Sequence, residues 1–212
     1  MIECLFGSRG SRFHHENQDA FGLKSCSADT VFLGVSDGAG SASDSALGST
    51  LSVESAVSSA DLGLLPAFQA ASDVLSGDRN KACTLSLVIW SNDSLSIGVV
   101  GDSPVVALID GTWHLFTEPP SSEFINETRF LTSSNNHPLC FEASGNVEAV
   151  FVFSDGLSSL LLSENHPYDP ALNGILSRAK AGSLDIDSLL AWLDQEHTLA
   201  DDVTLIVAYA GE

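Results

Sequence analysis

"VSDGAGSASDSALGS" (residues 35–49) joins a short apolar run to a turn with two glycines and then to a stretch able to start a helix. A dinucleotide-binding loop has this outline, yet Gly38-x-Gly40 lacks the third glycine of that fingerprint. Asp37 would also set a carboxylate against the phosphate, which is repulsive unless a cation lies between them. The stretch therefore points to a metal ion beside Asp37 and away from a nucleotide.

Outward from this turn, "VFLGVS" (31–36) stops at Asp37-Gly38 as a buried strand does. Ala46, Leu47, Leu51, Ala56, Val57 and Ala60 recur at roughly helical spacing, and "PAFQAASDVL" from Pro66 predicts a second helix. The runs "TLSLVIW" (84–90), "LSIGVVG" (95–101), "VVALID" (105–110) and "TWHLFT" (112–117) are rich in β-branched and aromatic residues and predict strands. Asp110-Gly111 between the last two reads as a type I′ hairpin turn. Residues 118–146 are polar and irregular and read as an insertion able to act as a flap. Beyond it, "VEAVFVFS" (147–154) predicts a strand and "LSSLLLSE" a helix. Two amphipathic helices are predicted around Leu172–Ala179 and Ile186–Leu193, and "VTLIVAYA" (203–210) predicts a final strand. This order implies an α+β fold with largely antiparallel sheets, in one domain over residues 1–212.

Composition excludes several classes of function. Eight basic against 28 acidic residues give a formal charge of −20, which repels nucleic acid and anionic membranes, so neither is expected as a partner. No apolar stretch approaches membrane-spanning length, and the first fifteen residues do not resemble a secretory signal, so a soluble cytoplasmic protein starting at Met1 is expected. Cys4, Cys26, Cys83 and Cys140 are too widely spaced for a zinc site and read as reduced thiols.

Aspartates mark the strand ends. Asp37 follows "FLGVS", Asp102 follows "IGVVG", Asp155 follows "VFVFS", Asp201 or Asp202 precedes "VTLIV", and Asp19 lies in "ENQDAFG". Two unit charges 4 Å apart cost about 4 kcal/mol at an effective dielectric near 20, so converging carboxylates need compensation. Hard divalent cations such as Mg²⁺ or Mn²⁺ provide it.

The five segments "NQDAFG", "VSDGAGSA", "VGDSP", "FSDGL" and "DDVTLIV" resemble, in order and separation, the motifs of the metal-dependent protein phosphatases. This is the protein phosphatase 2C-like (PPM) family, and the likeness runs from about Asn17 to Val207. "DGAGSA" in place of the more usual "DGMGG", with "FINETRFLTS" (124–133), is similar to a bacterial-type subset. The resemblance implies an α/β/β/α sandwich, two central antiparallel sheets flanked by helices. It implies that Asp37 bridges two cations, Mn²⁺ or Mg²⁺, that Gly38 offers its carbonyl, and that Asp155 and Asp201 complete the first ion. Asp19 would hold metal-bound water, making Asp19 and Asp37 the catalytic pair, and Asp102 would help to hold a third ion. Asp202 takes a position usually held by asparagine. The implied activity is serine/threonine phosphomonoester hydrolysis on a phosphoprotein by water that two cations activate, with a cognate kinase or its target as partner.

Three positions depart from the family pattern. Gln18 replaces a glutamate, His14 replaces an arginine that grips the substrate phosphate, and Ala39 stands where some relatives have a general-acid histidine. Arg9 and Arg12, with His14, are the remaining candidates to bind phosphate. The same departures motivate an alternative, a catalytically weak phosphatase-fold regulatory module that binds a phosphorylated partner. Hydrolysis of a small phosphorylated metabolite is a third reading. His114 and His197 read as strand-face and helix-end residues, and Trp90, Trp113 and Trp192 as packing residues.

Overall fold

The computed structural model describes residues 1–27, 29–118, 128–197 and 199–211. The chain opens with strands β1 (Ile2–Arg9), β2 (Ala20–Ser27) and β3 (Thr30–Ser36), followed by helices α1 (Ser45–Ser58) and α2 (Leu64–Leu75). Strands β4 (Leu85–Ser91), β5 (Ser94–Val100), β6 (Val105–Ile109), β7 (Thr112–Phe116), β8 (Leu139–Ser144) and β9 (Val147–Phe153) come next. The short helix α3 (Ser158–Leu161) leads into the ribbon β10 (Leu162–Ser163) and β11 (His166–Pro167). Helices α4 (Asp169–Lys180) and α5 (Ile186–His197) precede the last strand, β12 (Val203–Ala210).

The strands form two five-stranded antiparallel sheets, β1-β12-β9-β6-β7 and β2-β3-β4-β5-β8. Alternation along β9 sets the layers: Ala149, Phe151 and Phe153 pack with the C-terminal helices, whereas Val150 and Val152 face the other sheet. In β12, Leu205 and Val207 face helices, and Ile206 and Ala208 face the opposing sheet. Val31, Leu33 and Val35 of β3 meet them between the sheets, while Phe32 turns to Val53, Phe68 and Leu75 of α1 and α2. The order of layers is helices, sheet, sheet, helices, so most central strands are apolar on both faces. That is why they read in the sequence as continuous runs and not as alternating ones.

The Asp110-Gly111 turn has the expected form, with φ of 50° and 74° joining the Ile109–Thr112 pair. Two expectations are corrected. The helix predicted over "LSSLLLSE" ends at Leu161, because the next residues pair as the β10–β11 ribbon, which Glu164 and Asn165 turn with φ of 49° and 61°. The insertion is also not irregular throughout. Residues 139–144 form β8, the edge strand on β5, and Leu131 is buried with its N–H on the Cys83 carbonyl. The part of the expected flap over residues 119–127 lies outside the described residues. His114 is exposed on β7, as a strand-face residue, while the side chain of His197 lies outside the described ones. Trp90 and Trp113 are buried packing residues, but Trp192 is 52% exposed.

Phe151 is fully buried and meets Trp113 edge-on at 5.3 Å between ring centres. Phe151→Ala is expected to cost about 3–5 kcal/mol, read as a shift of the urea midpoint with unchanged m-value.

Candidate metal centre

Both sheets deliver aspartates to one place. Asp37 leaves β3, Asp155 opens the turn after β9, and Asp19 directly precedes β2. Their electrostatic effects on one another show the convergence. Desolvation pushes Asp37 far above the usual carboxylate range, and the charges of Asp19 and Asp155 push it the same way. Asp155 is raised too, first by desolvation and then by the charges of Asp102 and Asp201. Asp19 is raised chiefly by burial, with Asp202 and Asp155 adding to it and the nearby Ser154 and Thr204 hydroxyls only moderating the shift. Both oxygens of Asp19 and Oδ1 of Asp155 are buried without a hydrogen-bond partner among the described residues.

Leaving charged oxygens unpaired in a protein interior is costly, so the scaffold around them has to be stiff. Hydroxyl groups make it so. The Asp37 N–H donates to Thr84 Oγ1 at 3.0 Å, and the Thr84 N–H returns to the Asp37 carbonyl at 2.8 Å. Thr84 Oγ1 meets Ser103 Oγ at 2.9 Å, and Ser36 Oγ donates to the Thr84 carbonyl at 2.6 Å. Behind Asp155, the Thr204 N–H donates to Ser154 Oγ at 2.9 Å, and Thr204 Oγ1 meets Ser8 Oγ at 2.7 Å. Asn17 Nδ2 donates to Ser8 Oγ at 2.7 Å, while Asn17 Oδ1 accepts the Asp19 N–H at 3.1 Å. One polar chain thus links β12, β1 and Asp19.

Gly38 fits where no side chain could. A Cβ there would lie 2.8 Å from the Gln18 carbonyl and 2.9 Å from Ser45 Cβ, and the Gly38 N–H donates to that same carbonyl at 3.1 Å. Ser49 Oγ also donates to it, at 2.6 Å, so the backbone at Gln18 is fixed from two sides.

The remaining candidates fall on the rim. The Asp201 side chain is half exposed, and Asp102 is exposed and accepts from Thr128 Oγ1 at 2.7 Å. Arg9 and Arg12 turn to α5, where both hold the Asp194 carboxylate, at 2.9 and 3.2 Å. Neither arginine is among the main influences on Asp19, Asp37 or Asp155.

The residue most underrated from sequence is Asp202. It is buried, and its carboxylate accepts the Ser11 N–H at 2.5 Å, the Gln18 N–H at 2.7 Å and His14 Nδ1 at 3.0 Å. It therefore holds the loop that carries His14 and Asp19. His14 Nδ1 also lies 3.7 Å from Asp201 Oδ1, and the hydrogen bond to Asp202 raises the His14 pKa above its ordinary value. The missed hydroxyls had a signal, because Ser36-Asp37 and Ser154-Asp155 each put a serine directly before an aspartate at the end of an apolar run.

A family model described as protein phosphatase 2C matches residues 7–78 and 68–194. The chain belongs to the protein phosphatase 2C family. Among curated relatives, "Serine/threonine-protein phosphatase 3" of Escherichia coli (strain K12) is 31% identical over 116 residues, which is 51% of this chain and 46% of that protein. The match thus spans about half the length of this relative. Among solved structures, a bacterial serine phosphatase superposes with a TM-score of 0.76 at 16% identity, covering 100% of this chain and 99% of that one. The serine/threonine phosphatase Stp1 from Staphylococcus aureus gives a TM-score of 0.74 at 17% identity, covering 100% and 96%. The two-sheet sandwich of this protein phosphatase 2C chain is therefore that of known family structures.

Asp202→Ala strands the Ser11 and Gln18 N–H groups and is expected to cost about 1–3 kcal/mol for each that finds no water. His14, whose folded pKa is raised, contributes stability present below its unfolded pKa and lost as pH rises through the folded value. In Asp202→Ala that contribution shrinks, and an NMR titration of His14 is expected to return toward the ordinary histidine range.

Proposed function

We propose that this protein is a Mg²⁺- or Mn²⁺-dependent serine/threonine phosphoprotein phosphatase of the cytoplasm. The observation that carries the proposal is the set of unpartnered buried oxygens on Asp19 and Asp155 beside Asp37, a carboxylate that burial holds far above its usual range. Oxygen-only donors with surplus negative charge suit hard divalent cations, so the residues fit the ions that such phosphatases use.

Asp37, Asp155 and Asp201, with the Gly38 carbonyl, would hold two ions, and Asp102 on the rim would help to hold a third. Divalent cations held there would neutralise the carboxylates, lower the pKa of water toward neutrality and offer positive charge to the phosphoryl group. Asp19, buried and unpartnered, would orient water at the edge of this site. With Nδ1 committed to Asp202, His14 has Nε2 left to donate to a phosphoryl oxygen, so it takes the place of the missing arginine. Arg9 and Arg12, candidates for the same grip, instead brace the preceding loop through Asp194. A charge of −20 favours a phosphoprotein with basic flanking residues, such as a kinase or its target, over a free acidic metabolite.

The binding-module reading, motivated by Gln18, His14 and Ala39, is the less favoured one. Without cations, a module would carry these carboxylates as a repulsive burden with no return.

Hydrolysis of p-nitrophenyl phosphate and a phosphothreonine peptide is expected with Mn²⁺ or Mg²⁺ and not with EDTA, and Asp37→Asn is expected to lose more than about 100-fold in kcat. Sugar phosphates and nucleotides are expected to be poor substrates. No turnover by the native chain with calorimetrically confirmed metal would overturn the proposal. A second signature comes from melting curves in EDTA, where Asp155→Asn is expected to melt higher than the native chain because repulsion is relieved. On addition of Mn²⁺ the native chain is expected to gain the larger rise in Tm.

A further inference from the structure

On the far side of sheet β1-β12-β9-β6-β7 from the other sheet, α3, α4 and α5 enclose a groove of about 310 Å³. Leu157 and Leu205 form its buried floor, and Ile175, Leu189 and Leu193 are partly exposed along it, with Trp192 at 52% exposure on the rim. Arg178 is the one charged residue in the lining among the described residues. It is exposed and, like Arg79 and Lys180, has no ion-pair partner among the described residues, whereas Arg9, Arg12 and Arg129 each hold a carboxylate.

Gly174 is the second observation. It lies inside α4, where glycine costs stability relative to alanine, and it lines the groove. Packing does not demand it, since a Cβ at Gly174 would meet nothing within 4 Å, and its φ is not in the left-handed region. Its backbone is exposed within the lining, so an occupant of the groove can approach it closely.

We propose that this groove binds an aliphatic carboxylate, its chain along the leucines and its carboxylate on the Arg178 guanidinium. The volume is at the lower end of small-ligand pockets, roughly 300–1,000 Å³. An apolar lining with one convergent cation selects an apolar body with one anionic end, and the guanidinium fork matches a carboxylate in two-point contact. Arg178 also lies in the last turn of α4, where any cation is favoured by the carbonyl ends, but Lys180 shares that role and is not in the lining. Lys180 is therefore the internal control.

The test titrates the full chain with decanoate, with decanol as its neutral counterpart and with acetate as its chainless one. Calorimetry gives the affinity, and tryptophan fluorescence reports on the groove, since Trp90 and Trp113 are buried at 1% and 8% exposure. Saturable decanoate binding is expected, about tenfold or more tighter than decanol, with none for acetate. Arg178→Gln should reduce decanoate to the level of decanol, and Lys180→Gln should leave it unchanged. Gly174→Leu should remove binding while the melting temperature holds or rises. Absence of saturable heat, equal affinity for acid and alcohol in the native chain, or undiminished binding by Gly174→Leu would overturn the proposal. Protection of Trp192 by an acidic amphipathic peptide without decanoate binding would also overturn it, in favour of a protein partner. None of these readouts depends on phosphatase turnover.

Discussion

Mutual repulsion among Asp19, Asp37 and Asp155 is the constraint around which this structure is arranged. Three carboxylates brought together from the ends of two sheets, with oxygens left unpaired, destabilise the chain unless something opposes their separation. Opposition comes from rigid placement on separate strands. Asp37 is pinned through Thr84 of the neighbouring chain segment, and Asp155 through Ser154 and Thr204 on β12. The hydroxyls serve because they are small enough for a close-packed interior and satisfy one another, so most of the polar cost falls on the aspartates.

Much of the fold was legible because both sheets are covered on both faces. "VFLGVS" and "VEAVFVFS" could be buried strands or little else, and turns with aspartate and glycine marked their ends. Legibility failed where local pattern and tertiary demand disagree. "LSSLLLSE" has the leucines of a helix, but Leu162 is drawn into the β10–β11 ribbon, and "LCFEAS" carries too much polar character to announce itself as a strand because β8 is an edge. The aspartates were legible at the site because an ordered set of charged strand ends is rare. The partners of Arg9 and Arg12 were not, since Asp194 is distant in sequence and lies on an ordinary amphipathic helix.

The departures from the family pattern also look different in three dimensions. Taken singly, a histidine at position 14 and an aspartate at position 202 each weaken the match. Together they form one bonded unit, in which Asp202 fixes the imidazole and the loop backbone at once. An asparagine, with one acceptor oxygen, could not accept from three donors of this kind, and an arginine has no ring for Asp202 to orient. The two changes therefore make sense as a pair, and the sequence could not show it because 188 residues separate them.

The position of β12 has a consequence for how the molecule comes into being. This strand lies between β1 and β9, so the first and last strands of the chain are neighbours and an interior strand of one sheet is supplied last. During synthesis β1 and β9 wait with open edges, and no partial sheet can bring Ser8, Thr204 and Ser154 into line. Such distant pairing slows folding and leaves the nascent chain exposed to edge-to-edge association. It also means that a nascent chain ending before β12 carries aspartates 19, 37 and 155 without the strand that lines up the hydroxyls behind them.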